Sequence, residues 1–253
     1  MDKSWKVPLT RLWDWLAEPV AVLAFVFVST TAIAQPFYVP SGSMEPTLQI
    51  GDALIGSKYP YGYSRYSMPF GFGPAADTRL LGKLPRQGDV VVFRLPRDPS
   101  VTYVKRVIGL PGDRVQMIHG RLAINGKTLP LMPAGNAMEE NSNDGGMMRV
   151  AKYTETLPDG VKHPIFKWTQ DGALDNTEVF IVPAGHLFMM GDNRDDSSDS
   201  RVAPADGGVG YVPLENLVAR AELVVGSYDF LNMHGLASWP GLLRLSRALH
   251  IIS

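Results

Sequence analysis

The chain contains no cysteine among its 253 residues. That excludes disulfides, thiol nucleophiles and thiolate metal sites, and leaves the redox compartment open. Neither sign of charge is in excess: 24 Lys and Arg stand against 25 Asp and Glu, for a formal net charge of −1. No basic stripe carries interleaved aromatics, so a nucleic-acid partner is not expected. Charge is missing altogether from Pro19 to Met44. Three patterns are also missing. Ser43 has no Gly-x-Ser-x-Gly elbow, since Met44 and Glu45 follow it, and Pro46 stands where a Ser-x-x-Lys pattern needs lysine. The acidic run "GDNRDDSSDSR" (Gly191–Arg201) has neither the central glycine nor the closing glutamate of an EF-hand, so calcium is discounted.

The uncharged stretch itself points to lipid. "VAVLAFVFVSTTAIA" (Val20–Ala34) is almost wholly apolar. With Trp15–Ala17 before it and Phe37–Val39 after it, it approaches the roughly 20 residues that span a bilayer. Trp13 and Trp15 suit an interfacial belt, while Lys3, Lys6 and Arg11 precede the span. The positive-inside rule then puts the N-terminus in the cytoplasm and the bulk of the chain outside. "AIA" before Gln35 also has the form of a small-x-small cleavage site. A long N-terminal region with two acids favours an uncleaved anchor.

Downstream, 25 glycines and 20 prolines break up short valine-rich runs, which is the pattern of β-structure. "GDVVVFRLP" (Gly88–Pro96) reads as a buried strand, and "VTYVKRVIGLPGDRVQMI" (Val101–Ile118) as two strands joined by a turn. Asn125-Gly126 is a hairpin signal. Residues from about Pro130 to Asp175 are polar and irregular and read as an insertion. "YPYGYSRYSMPFGFGP" (Tyr59–Pro74) is either an ordinary aromatic loop or a surface resting in the membrane interface. The tail from Leu231 to Ser253, apolar and basic, reads as a short interfacial helix.

If Ser43 is a nucleophile, it needs a base. None of His119, His163, His186, His234 and His250 lies in a segment resembling a catalytic turn. Lys105 sits mid-strand in "YVKRVIG" beside Arg106. Alternation along a strand predicts that one of these cations faces inward and the other outward. A buried lysine loses proton affinity by as much as about 3–5 units and can then accept a proton near neutrality. The alternative is a lysine that snorkels to the surface or pairs with a carboxylate.

An apolar N-terminal span followed in order by "PSGSMEPTL", "GDVVVF", "YVKRVIGLPGD" and "GDNRDDSSDSR" closely resembles the bacterial type I signal peptidases. That resemblance implies a mainly β protein: a catalytic core of coiled antiparallel sheets with a smaller β insertion, plus one N-terminal transmembrane helix. The expected order is a cytoplasmic N-terminus (1–14), an anchor (15–37), a first core part (38–129), an insertion (130–176), a second core part (177–230) and the interfacial tail (231–253). It implies a membrane-bound serine endopeptidase without cofactor, cutting signal peptides from exported preproteins after Ala-x-Ala sites. A specialised conjugation or pilus-maturation peptidase would share the same residues. By resemblance, Ser43 is the nucleophile and Lys105 the general base. Ser41 contributes to the oxyanion hole, Ser197 orients the lysine, and Asp199 and Arg201 brace the region. Val39, Met44, Leu48, Tyr103 and Val104 fall where substrate pockets are lined. The implied partners are preprotein signal peptides, the lipid bilayer and the secretion translocon, with the catalytic part on the periplasmic side of the inner membrane.

Overall fold

The computed structural model describes residues 9–68, 73–74, 78–140, 146–228 and 243–252. Helix α1 (Leu9–Val28) is continued by a π-type turn, Ser29–Ile33, and then by strand β1 (Ala34–Tyr38). The helix therefore ends before the predicted boundary at residue 37. Thr30 Oγ1 turns back onto the Val26 carbonyl at 2.8 Å, and Pro36 has no N–H with which to continue a helix. Side chains 15–27 of α1 are all exposed. Among the described residues, no helix is long and apolar enough to cross a membrane; Arg11, Asp14 and Glu18 all fall within α1.

The rest is β-structure, and every strand pair is antiparallel. After β1 come β2 (Asp52–Ser57), β3 (Val90–Leu95) and β4 (Asp98–Gly109). A small hairpin unit follows: β5 (Arg114–Ile118), β6 (Arg121–Ile124) and β7 (Lys127–Thr128). Its β6–β7 turn is the predicted Asn125-Gly126, with φ of 53° and 78° as a tight hairpin requires. Next are β8 (Leu131–Glu140), β9 (Met147–Thr156), β10 (Lys162–Lys167) and β11 (Phe180–Ile181). The chain closes with β12 (His186–Met190), β13 (Val212–Pro213), β14 (Leu217–Ser227) and β15 (His250–Ile251). The main sheet runs β1-β2-β14-β3-β4-β12-β13, with β15 on β14. Two smaller sheets are β11-β5-β6-β7 and β10-β9-β8.

Strand β3 explains the main core. Val90 and Val92 face a cluster containing Met44, Leu48 and Val218, while Val91 and Phe93 face another containing Val107, Leu187 and Met189. An apolar run without alternation fits a strand covered on both faces. Edge strand β1 carries Pro36, a residue tolerated in sheets only at such edges.

Two expectations are corrected, and a third segment is described in part. The segment from Pro130 to Asp175 is not irregular: it holds the three-stranded sheet β8–β10. Its strands are polar because β8 is largely exposed, with only one residue of ten buried. The tail is not a separate interfacial helix where it is described. Residues 243–252 dock on the core: Arg247 pairs with Asp52 at 2.5 Å, β15 joins β14, and Ile252 enters the first cluster. The aromatic loop is partly folded in. Tyr61 is a core residue bonded to Asp89, and Tyr63 donates to the Ala32 carbonyl. Its stretch 69–72, like residues 229–242, lies outside the described residues.

A buried ionic chain fastens the β8–β10 sheet to the core. Arg106 donates to Asp192 at 2.7 and 2.8 Å, His163 lies between Asp192 and Glu155 at 3.3 and 3.2 Å, and Arg194 pairs with Glu155. Burial pushes the Glu155 carboxyl up, but Arg194 and His163 outweigh it and hold it down to about 2. Removing one partner of such a pair strands a charge, so Arg194→Met is expected to destabilise the protein by about 3–5 kcal/mol. A depressed folded-state value adds stability that is present above the ordinary glutamate value of 4.5 and is lost as pH falls toward about 2. Urea unfolding across that acid range, followed by circular dichroism, checks both: the acid-labile component is expected to shrink in Arg194→Met.

Candidate active site

Ser43 lies in a single 3-10 turn, Gly42–Met44, between β1 and β2. Met44 is fully buried in the first core cluster and pins the turn, while Ser43 beside it remains half-buried. Strand β4 supplies the partner. Lys105 Nζ lies 2.5 Å from Ser43 Oγ, across 62 positions of sequence. Lys105 is 3% exposed, and among the described residues no carboxylate stands within ion-pair distance of it. Burial pulls its amine down to about 8, Arg201 assists, and the more distant Asp199, Asp192 and Asp196 oppose. With that value, about one amine in ten is neutral at pH 7.

The alternation argument for Lys105 and Arg106 needs correction. The two do point to opposite faces, Lys105 opposite Val91 and Arg106 opposite Val90, but neither reaches solvent. Arg106 is 0% exposed, held by Asp192 and by the Gly88 carbonyl. Both faces of β4 are covered here, so alternation chooses between two interiors.

The other sequence candidates divide. Ser41 Oγ is exposed and 3.5 Å from Ser43 Oγ. Asp199 and Arg201 form a fully buried pair at 2.8 Å; Asp199 accepts from the Gly191 N–H, and Arg201 donates to the Arg194 carbonyl. Ser197 is buried near the dyad, yet its Oγ has no hydrogen-bond partner, so the expected hold on the lysine amine is not made. Tyr103 and Val104 line a groove of about 780 Å³. Val39, Met44 and Leu48 do not: they are buried in the cluster whose members Leu54 and Val92 reach the groove.

That groove is lined by Phe37, Tyr38 and Pro40 at the end of β1 and by Val101–Lys105 of β4, with Ser41–Ser43 between them in sequence. Among the described residues, the ladder partner of β1 is β2 and that of the 101–105 part of β4 is β3. Each is therefore an edge of its ladder among the described residues. Carboxylates Glu45, Glu139, Glu140 and Asp196 also line the groove. Burial raises Glu45, and it raises Glu139 to about 7 despite hydrogen bonds from Trp168 and Asn193.

Sequence reasoning missed Asn193, Asp192 and Glu139. Asn193 N–H donates to the Ser43 carbonyl at 3.2 Å, and Asp192 accepts from Thr47 and Arg106. A signal existed for these two, since "GDN" opens the motif already quoted. Glu139 had none: it lies almost a hundred positions from Ser43 in a strand with no distinguishing pattern.

A serine hydroxyl against a dry lysine amine, in a cleft between strand edges, has the makings of a serine hydrolase for extended peptides. The family model described as "Signal peptidase, peptidase S26" matches residues 12–226. "Signal peptidase I" of Rickettsia canadensis (strain McKiel) is 40% identical over 210 residues, covering 80% of this chain and 76% of the relative. "Signal peptidase I" of Rickettsia massiliae (strain Mtu5) is 41% identical over 214 residues, covering 79% and 77%. A crystal structure of a signal peptidase I from Enterococcus faecalis V583 is similar at 24% identity with a TM-score of 0.31, covering 55% of this chain and 97% of that one. The chain belongs to the bacterial type I signal peptidases and is a serine endopeptidase that acts on preprotein signal peptides.

Gly191 is a sensitive point in this geometry. A Cβ there would lie 2.3 Å from Ser197 Oγ and 2.4 Å from the Ser43 carbonyl oxygen. Gly191→Ala is therefore expected to displace the nucleophile turn and cost about 100-fold in kcat. Peptide-cleavage kinetics alongside circular dichroism check this, with secondary structure expected to persist.

Proposed function

We propose that this chain is a membrane-bound signal peptidase working through a Ser43–Lys105 dyad, cutting after small-x-small sites. The observation that carries the reading is the 2.5 Å approach of a buried lysine amine to the Ser43 hydroxyl. Substrate enters the groove as an extended strand and pairs with the edges of β1 and β4 that face it, while Tyr103 and Val104 meet its side chains. Neutral Lys105 takes the proton from Ser43 Oγ, which attacks the scissile carbonyl. The oxyanion is met by Ser41 Oγ and the Ser43 backbone N–H. As the C–N bond breaks, the lysine ammonium returns the proton to the leaving amine. Lys105 then deprotonates water, which hydrolyses the acyl-serine. Asp199 and Arg201 brace the turn that faces the dyad.

Helix α1 with its segment toward β1 is the anchor, and the catalytic part lies on the periplasmic side, beside the translocon that delivers substrates. Support comes from the uninterrupted exposure of Trp15, Val20, Leu23, Phe25 and Phe27, an apolar surface that water does not favour. The Ala34–Gln35 bond lies within the β1–β2 ladder, Ala34 opposite Ser57, so the anchor is retained. N-terminal sequencing of membrane-purified protein is expected to find residues before Gln35; a mature start at Gln35 would refute a permanent anchor.

The mechanism is tested by cleavage of an Ala-x-Ala preprotein. Ser43→Ala and Lys105→Ala are each expected to lose more than about 1,000-fold in kcat/KM. Ser41→Ala is expected to lose about 100-fold, in kcat rather than KM. For the wild type, kcat/KM should rise with pH through about 8, because the active amine is the deprotonated one. Substantial activity in Lys105→Ala would sink the dyad.

A further inference from the structure

The turn 191–194 is stitched between the nucleophile turn and the β8–β10 sheet. On one side, Asn193 donates its backbone N–H to the Ser43 carbonyl and its side-chain Nδ2 to the Gly42 carbonyl at 3.3 Å. On the other, Phe166 of β10 donates to the Asp192 carbonyl at 2.9 Å and accepts from the Arg194 N–H at 3.0 Å. Glu139, near the end of β8 and 3% exposed, completes the junction. One of its oxygens accepts from Asn193 Nδ2, and the other from Trp168 Nε1 at 2.8 Å.

The Asn193 amide is thus fully used on one side only. Its two N–H groups go to Glu139 and to Gly42, while its Oδ1 is buried without a partner among the described residues. Ionised, Glu139 can only accept, so in that form it dictates which way the amide faces. Flipping the amide would set its oxygen against both the Glu139 carboxylate and the Gly42 carbonyl. Without Glu139, a single 3.3 Å contact would hold the amino group toward the nucleophile turn.

We propose that Glu139, carried by the insertion sheet, is a positioning residue: through the Asn193 amide it holds the Gly42–Ser43 backbone and so sets Ser43 against Lys105. This rests on Ser43 being the nucleophile. Glu139 touches neither member of the dyad; it acts through Asn193, and the β8–β10 sheet becomes part of the catalytic apparatus instead of an appendage.

The test is a set of kcat and KM measurements on the full chain in detergent, using a peptide with an Ala-x-Ala site. Glu139→Ala is expected to lower kcat about 10- to 100-fold, as for a slightly misplaced nucleophile, with KM within about threefold. Glu139→Gln, whose amide oxygen still accepts from Asn193, is expected to recover most of that loss although Trp168 forfeits its partner. In a cycle with Asn193→Ala, the double variant is expected to be no worse than Asn193→Ala alone, since both act through one link. A kcat within twofold of wild type in Glu139→Ala, a loss confined to KM, or losses that multiply in the double variant would overturn the positioning role. Ser43→Ala separates the two levels. Cleavage surviving in that variant overturns the nucleophile assignment and this inference with it, while Ser43-dependent cleavage at normal kcat in Glu139→Ala overturns this inference alone.

Discussion

A lysine amine has to stay dry while aspartates stand nearby, and the site is arranged around that constraint. In water, Lys105 would be an ammonium ion and could not take a proton from a serine. Burial pulls it down, and Asp199, Asp192 and Asp196 would each hold its charge in place. Two of these carboxylates are committed elsewhere. Asp199 is spent on Arg201 and Asp192 on Arg106, both fully buried pairs. Each arginine therefore does more than hold the fold together: it keeps a neighbouring carboxylate from becoming the lysine's counter-ion.

The same economy explains the crowded turn at Gly191–Arg194. Gly191 admits the Ser43 carbonyl and Ser197, Asp192 takes Arg106 and Thr47, Asn193 holds the nucleophile turn, and Arg194 reaches Glu155 in the neighbouring sheet. Four consecutive residues thus tie the nucleophile turn, strand β4 and the β8–β10 sheet to one another. A small backbone shift would be felt in all of them, which suits a site that must hold two atoms 2.5 Å apart. The C-terminal segment adds a further brace, with Arg247 donating to the Thr47 carbonyl as well as to Asp52.

Much of this was legible beforehand. The strand runs around Val90 and Lys105 and the Asn125-Gly126 hairpin follow from local pattern and turn chemistry. The serine, the lysine and the acidic turn stood out because each was anomalous in its segment: a serine without a histidine, a cation in an apolar strand, an acidic run at a strand end. The β8–β10 sheet could be expected only through the family resemblance; its local pattern hid it, because β8 is almost wholly exposed and the buried positions of β9 and β10 include Glu155, His163 and Lys167. The docked tail was misread for a related reason, since basic and apolar residues mark a lipid surface and a protein groove equally well.

The sequence by itself determined the class: a mainly β serine endopeptidase of the signal peptidase family, with its chemistry-bearing residues in four short segments. Those segments are legible because each needs particular residues at fixed spacing along a single stretch of backbone. Only the tertiary structure decided that Arg106 is as buried as Lys105, that Val39, Met44 and Leu48 lie in the core and not on the groove, that Ser197 makes no bond to the amine, and that Glu139 meets Asn193. These are contacts between strands distant in the chain. Nothing in the local pattern of either partner encodes them; they follow from which sheets pack together and which faces that packing leaves without water.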